Sequence, residues 1–195
     1  EFYFGNDGGG LTIYDGVRMR TLTTQDGLAG DRVTSLELTD DGQLWIGTHS
    51  GVSRYDGEVL SSFTQADGLP HPRVADVAVD GLGRTWMATG GAGLAVLDDG
   101  RWSTIDSRDG LADDRVNAVV VGGDGDLWIG TEGGLSRYIP GITPPGVQIV
   151  GADSAAERSA ATGSPVHVDY GAVDFRTHPD KRQYRIRLVG LDQDW

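Results

Sequence analysis

Along most of the chain, short runs of alternating apolar and polar residues are cut at close intervals by turn residues. Val33-Thr34-Ser35-Leu36-Glu37-Leu38 repeats with a period of about two, the mark of a half-buried strand. Asp40-Asp41-Gly42 ends it in a tight turn, with Gly supplying the positive φ that other residues resist. Leu44 to Thr48 predicts a second strand, His49-Ser50-Gly51 a turn, and Val52 to Tyr55 a third strand. Asp56-Gly57 turns again and Val59 to Thr64 predicts a fourth strand. Four antiparallel strands joined by short turns make one blade-like sheet. Gln65 to Arg73 then leads from the outer strand to the first strand of the next unit.

This pattern recurs. Asp26-Gly27-Leu28, Asp67-Gly68-Leu69 and Asp109-Gly110-Leu111 open three copies, and Arg32-Val33, Arg73-Val74 and Arg115-Val116 follow. Then come Trp45-Ile46-Gly47-Thr48, Trp86-Met87-Ala88-Thr89 and Trp128-Ile129-Gly130-Thr131. Gly51-Val52-Ser53-Arg54-Tyr55, Gly93-Leu94-Ala95-Val96-Leu97 and Gly134-Leu135-Ser136-Arg137-Tyr138 close them. Trp45, Trp86 and Trp128 are spaced by 41 and 42 residues (86 − 45 and 128 − 86), a period that with strand-like segments points to propeller blades. Trp45, Trp86 and Trp128 are expected to fill the gap of about 10 Å between stacked sheets, and Gly47, Ala88 and Gly130 to leave room for a neighbour. Gly27, Gly68 and Gly110 are assigned to the repeat's structure as well.

Tyr3-Phe4-Gly5-Asn6 falls where the Trp segments fall, so residues 1 to 23 read as the last three strands of a blade. The last copy yields three strands, because Pro140-Gly141-Ile142-Thr143-Pro144-Pro145 stands where a fourth would be and Pro is excluded from strand interiors. The predicted ring is longer than the chain. Beyond Pro145 the repeat stops. Val147 to Val150, Val166 to Tyr170, Val173 to Phe175 and Tyr184 to Leu188 predict short strands of a β-sandwich. The expected class is all-β: residues 1–139 as about three and a half four-stranded blades of a partial β-propeller, 140–145 as a Pro-rich linker, and 146–195 as the start of a truncated immunoglobulin- or fibronectin-like sandwich.

Composition narrows the function classes. The formal net charge of −13 argues against nucleic acid and against anionic membrane surfaces. The chain has no Cys, which removes disulfides, thiolate metal sites and Cys nucleophiles. Its four His stand singly, without the i, i+4 spacing of a metal helix. Asp124-Gly125-Asp126 and Asp40-Asp41-Gly42 are too short of oxygen ligands for a calcium loop. No metal, cofactor or catalytic residue is therefore assigned.

The Asp-Gly-Leu, Arg-Val, Gly-x-Leu-Trp-Ile-Gly-Thr and Gly-Leu-Ser-Arg-Tyr string resembles the two-component regulator propeller repeat. The tail, Tyr184-Arg185-Ile186-Arg187-Leu188-Val189-Gly190-Leu191-Asp192-Gln193-Asp194-Trp195, resembles the Y_Y_Y domain that follows such propellers, although Ile186 stands where that family has its second Tyr. The resemblance implies the periplasmic sensor region of an inner-membrane receptor, ahead of a transmembrane helix. It further implies a histidine kinase or diguanylate cyclase output module, a homodimeric receptor, and a soluble ligand such as an oligosaccharide.

The residues to weigh for that ligand lie in the turns between second and third strands and in the connections between blades, which open on the same side. Positions that differ between copies escape the explanation that covers the repeated ones. His49, His71, Gly91 and Glu132 are such positions. Arg32, Arg73 and Arg115 lie close by but recur, which favours pairing with loop carboxylates. Arg73 and Arg115 are kept as ligand candidates. Two other classes remain: a propeller enzyme of the lyase type, which requires a His or acid cluster at the ring mouth, and a protein-interaction scaffold of the WD-repeat kind.

Overall fold

The computed structural model describes residues 1–139, 146–152 and 168–173. The chain divides into two compact units, Glu1–Pro140 and Gly141–Trp195. In the first unit, β1 (Phe2–Gly5), β2 (Leu11–Tyr14) and β3 (Met19–Leu22) form a three-stranded sheet. A four-stranded sheet follows, of β4 (Val33–Leu38), β5 (Leu44–Thr48), β6 (Val52–Tyr55) and β7 (Leu60–Phe63). The next four are β8 (Val74–Val79), β9 (Thr85–Thr89), β10 (Leu94–Asp98) and β11 (Arg101–Ile105). A three-stranded sheet of β12 (Val116–Val121), β13 (Leu127–Thr131) and β14 (Gly134–Tyr138) ends the unit. Each sheet is an antiparallel meander in chain order, and β8 packs beside β4 on one side and β12 on the other. This is an arc of propeller blades, blades 1 to 4.

The motif residues have local causes. Thr23, Thr64 and Asp106 cap one-turn 3-10 helices at Thr24–Asp26, Gln65–Asp67 and Ser107–Asp109. The Asp of each Asp-Gly-Leu reaches back to the cap's backbone N–H, closing a reciprocal capping box. Gly27, Gly68 and Gly110 follow at φ 101°, 105° and 104°, a left-handed conformation that L side chains resist. That reversal drives Leu28, Leu69 and Leu111 into the apolar layers between blades 1 and 2, 2 and 3, and 3 and 4. Asp-Gly-Leu is thus a corner that pins each connection to two blades. These single turns sit in the connections and leave the unit all-β, as expected.

The Arg-Val pair is explained by the same layers. Val33, Val74 and Val116 pack toward the preceding blade, opposite Gly5, Gly47 and Ala88. A Cβ on Gly5 would lie 2.5 Å from Val33 Cγ1, and one on Gly47 would lie 3.2 Å from Val74 Cγ1. The small residue two places after each aromatic is therefore the socket for the next blade's Val.

Trp45 and Trp86 are 6% and 2% exposed and stand in the layers between blades 2 and 3 and blades 3 and 4. Trp45 stacks on Phe63, and Trp86 tilts against Tyr138. Trp128 departs from the expectation at 41% exposed. Its side chain points to the side of blade 4 away from blade 3, where Val120 and Leu135 are exposed with it. Within the first unit no sheet stands on that side of blade 4 for Trp128 to pack against. At the other end Phe2, Phe4 and Met19 are exposed on blade 1.

Two smaller corrections concern strands. The fourth strand of blade 2 is shorter than expected, at Leu60–Phe63, because Val59 lies in the Asp56 turn and Thr64 is already the cap of the next helix turn. In the second unit β15 (Gly146–Ala152) pairs antiparallel with β16 (Val168–Val173), which runs on through Gly171 to Val173 where the sequence suggested a break. The linker at 140–145, the strand at Tyr184 to Leu188 and the remainder of the expected sandwich lie outside the described residues.

One buried acid ties a turn to the core. Asp80 sits at the β8–β9 turn and accepts the Trp86 indole N–H at 2.9 Å, Arg84 Nε at 2.7 Å and the backbone N–H groups of Leu82 and Arg84. Burial opposes ionisation, but these donors outweigh it and hold the Asp80 carboxyl below its ordinary 3.8. A depressed folded pKa adds stability above the unfolded value and loses it as pH falls through the folded one. Denaturant midpoints should therefore drop as pH is lowered below about 3.8, and Asp80→Asn should flatten that drop. Parallel profiles for the two proteins would overturn this assignment.

Candidate ligand-binding face

The turn after the second strand of each blade meets the connection leading into the next. Thr48, Thr89 and Thr131 each donate their hydroxyl to the carbonyl of Gly51, Gly93 and Gly134, and the Asn6 amide does so to Gly10. These turns present Asp7, His49, Gly90 and Glu132 at one equivalent position. The backbone N–H of His49, Gly90 and Glu132 donates to the carbonyl of Arg32, Arg73 and Arg115 of the same blade at 3.0–3.1 Å. The recurring Arg is thereby fixed beside the variable position.

Turn length decides what reaches across to the next blade. The Asn6–Gly10 and Thr89–Gly93 turns are one residue longer than Thr48–Gly51 and Thr131–Gly134. Among the described residues, the longer ones alone pair with the following connection, through Asp7 with Arg32 and Gly90 with Arg115. Gly10 and Gly93 also donate their N–H to the carbonyls of Asp31 and Asp114, both at 2.8 Å.

The result is a line of charged and polar groups at one end of the strands: Asp7, Arg32, His49, Arg73, Gly90, Arg115, Glu132. Arg32 pairs with Asp7 at 2.5 Å, and Arg115 pairs with Glu132 at 3.2 Å. Both pairs are solvent-exposed, so each contributes at most about 1 kcal/mol. His49 stands between Arg32 and Arg73. Its pKa is lowered, first by desolvation and then by those two cations, so the ring is neutral at neutral pH.

Arg73 differs from its siblings. Its turn position is Gly90, and the connection before it reads Pro70-His71-Pro72 where the others carry Asp31 or Asp113-Asp114. Among the described residues no carboxylate pairs with Arg73. His71 Nδ1 accepts the Arg73 backbone N–H at 3.1 Å, the role that the Asp113 carboxylate plays for Arg115 at 2.7 Å. With Nδ1 accepting, the hydrogen of neutral His71 lies on Nε2. That edge faces Gly91, where an added Cβ would lie 3.6 Å from Nε2.

All six candidates thus fall along this end of blades 2 to 4. His71, Arg73 and Gly91 form one cluster, Arg115 and Glu132 form a pair, and His49 stands beside Arg73's charge. The sequence reading missed Asp7 and Gly90. Asp7 was findable, since it follows Asn6 as His49 follows Thr48. It also missed Asp76, whose carboxylate accepts the N–H of Val119 in the next blade at 3.0 Å. An acid within the apolar run Val74–Val79 was the signal. Among the described residues no three His, Asp or Glu side chains converge as a metal site requires, and no helix is long and apolar enough to cross a membrane.

Residues 27–50 and 110–133 match the family model of the two component regulator propeller. Both matches run from the Asp-Gly-Leu corner to the turn that carries His49 or Glu132. The copy between them, with Pro70-His71-Pro72 and Gly90, lies outside both. No curated protein matches the chain. Among solved structures, the extracellular domain assigned to a hybrid two component system of B. thetaiotaomicron is similar at a TM-score of 0.61 and 24% identity, covering 70% of this chain. The chain spans 20% of the length of that structure. PorZ, a surface component of the type-IX secretion system of Porphyromonas gingivalis, follows at a TM-score of 0.48 and 19% identity, over 55% of this chain and 17% of its own. Virginiamycin B lyase of Staphylococcus aureus gives 0.42 and 17%, over 56% and 42%. The first of these likenesses establishes the propeller fold.

Proposed function

We propose that this chain is a ligand-sensing part of the extracytoplasmic region of a bacterial signalling receptor, and that it binds rather than transforms its ligand. The observation that carries the reading is the pair of regulator-propeller matches, each ending in the turns that hold the variable residues. A rigid repeat bearing non-repeated side chains at one end is the usual layout of a binding face. In this reading the chain lies in the periplasm, ahead of a transmembrane helix and a histidine kinase or diguanylate cyclase module, in a homodimeric receptor. The tail belongs to a Y_Y_Y domain in the same reading. The ligand is a soluble oligosaccharide, for which polar turn residues beside fixed cations supply donors and acceptors.

Calorimetric titration of the full chain against a panel of oligosaccharides tests this. Binding by at least one member is expected, with His71→Ala or Glu132→Ala weakening it about tenfold, or about 1.4 kcal/mol. Binding that both substitutions leave intact would move the ligand off this face. Turnover of a ligand would replace the sensor reading with the lyase-like one.

A further inference from the structure

The line of charges is balanced at Arg32 and Arg115 and open at Arg73. We propose that Arg73, the His71 Nε2–H edge and the Gly90-Gly91 turn form a subsite for a carboxylate group of the ligand, so that the favoured oligosaccharide carries a uronic acid. This rests on the ligand-sensing reading and narrows its substrate class.

Three independent features converge there. The first is an exposed guanidinium with no carboxylate partner among the described residues, whereas the equivalent Arg of each flanking blade has one within 3.2 Å. A planar guanidinium offers a fork of donors that suits a carboxylate. The second is the loss of local acids. Pro72 stands where the siblings carry Asp31 and Asp114, and Gly90 stands where they carry Asp7 and Glu132. A bound anion therefore meets no repulsion that the flanking blades would impose. The third is a bare turn. Gly90 and Gly91 present no side chain, and Arg73 Cδ and His71 Cε1 lie against the Gly90 position, 3.0 Å and 3.1 Å from where a Cβ would stand. The turn is thus bordered by the two donor side chains themselves. His71 is held by flanking prolines and by its bond to the Arg73 N–H, so its Nε2–H is aimed before the ligand arrives.

Gly90→Glu is the informative substitution. Gly90 lies outside the positive-φ positions, and a Cβ there meets Arg73 Cδ at 3.0 Å and His71 Cε1 at 3.1 Å, side-chain atoms that must give by a few tenths of an ångström. The substitution gives Arg73 the internal carboxylate its siblings have, and the subsite should close.

The test is an amide NMR titration of the full chain with sodium glucuronate and, separately, glucose. Glucuronate should shift the Gly90 and Gly91 resonances and glucose should not. Arg73→Gln and Gly90→Glu should each weaken the glucuronate response at least tenfold, and Arg18→Gln, an equal loss of charge at the opposite end of the strands, should not. The response should also weaken with added salt, as an exposed charge contact does. Equal responses to glucose and glucuronate, or none to either, overturn the subsite. So does a glucuronate response unchanged in Arg73→Gln. The panel of the preceding section separates the two readings. Neutral oligosaccharides binding while glucuronate stays silent leaves the sensor reading standing and removes the subsite. Glucuronate binding with no oligosaccharide bound does the reverse.

Discussion

Trp86→Ala is expected to lower the stability of the chain by about 3–5 kcal/mol, the range for a buried aromatic cut to Ala. Trp86 is 2% exposed and belongs to the largest apolar layer, with Val116, Val119, Leu127 and Ile129 of the next blade around it. Its removal opens a cavity between two sheets that cannot easily collapse, since both are tied through backbone ladders. It also takes away the indole donor of buried Asp80, leaving that carboxylate to Arg84 and the turn backbone. Losing a donor to a buried charge adds about 1.5–3 kcal/mol where nothing replaces it. Trp128→Ala is the matched comparison. The same residue at the same repeat position is 41% exposed, so its removal should cost less than about 1 kcal/mol beyond its contact with Arg137. Urea denaturation of both variants under one set of conditions decides the matter. Equal losses would mean that Trp128 is covered in solution.

Gly93→Ala should be nearly as damaging, for a different reason. Gly93 immediately precedes β10 at φ 75°, and an added Cβ would overlap the Ile105 carbonyl oxygen and come within 2.9 Å of Asp106 Cα. Those atoms are backbone, so relief requires β11 and the Asp106 cap to move. The left-handed conformation alone costs about 1–2 kcal/mol for a non-Gly residue, and forced displacement of packed backbone adds about 1–3 kcal/mol. A loss of about 3 kcal/mol or more follows from the two together. Gly125→Ala separates the contributions. Gly125 has nearly the same φ, 78°, but nothing within 4 Å of its Cβ position. It should lose only the conformational part, about 1–2 kcal/mol. Thermal melts of the two variants should differ accordingly, and matching shifts would place the cost in backbone conformation alone.

The blade repeat was legible in the chain because its motif residues answer to causes close by. Asp26 caps a turn three residues behind it, Gly27 reverses the chain, and Leu28 is buried as a consequence. The role of Val74 was not legible, because its socket at Gly47 lies in another blade and is a matter of contact rather than of pattern. Exposure of Trp128 escaped the sequence for a related reason, since a residue's place in the repeat says which way it faces but not whether a neighbour stands there. On the candidate face His49, His71, Gly91 and Glu132 were singled out by their variation between copies, and Arg73 and Arg115 by lying beside them. The pairing was not found. Whether a recurring Arg has a carboxylate depends on which residue the turn presents and on how far the turn reaches. Asp7 meets Arg32 across blades, Glu132 meets Arg115 within one, and Gly90 offers Arg73 neither.

Within the first unit each sheet packs on its neighbours in line, and this has a consequence for the order in which the fold opens. Among the described residues, blades 2 and 3 are flanked on both sides, while blades 1 and 4 each rest on a single apolar layer. Opening an outer sheet therefore breaks one layer, and opening an inner one breaks two. Taken by themselves, these four blades behave as a short one-dimensional lattice in which local melting runs inward from blades 1 and 4. Amide hydrogens should exchange with deuterium first in β1–β3 and β12–β14 and last in β8 and β9. The Arg73 cluster thus sits in the slowest-exchanging sheet, and the candidate subsite stays assembled through fluctuations that loosen either end.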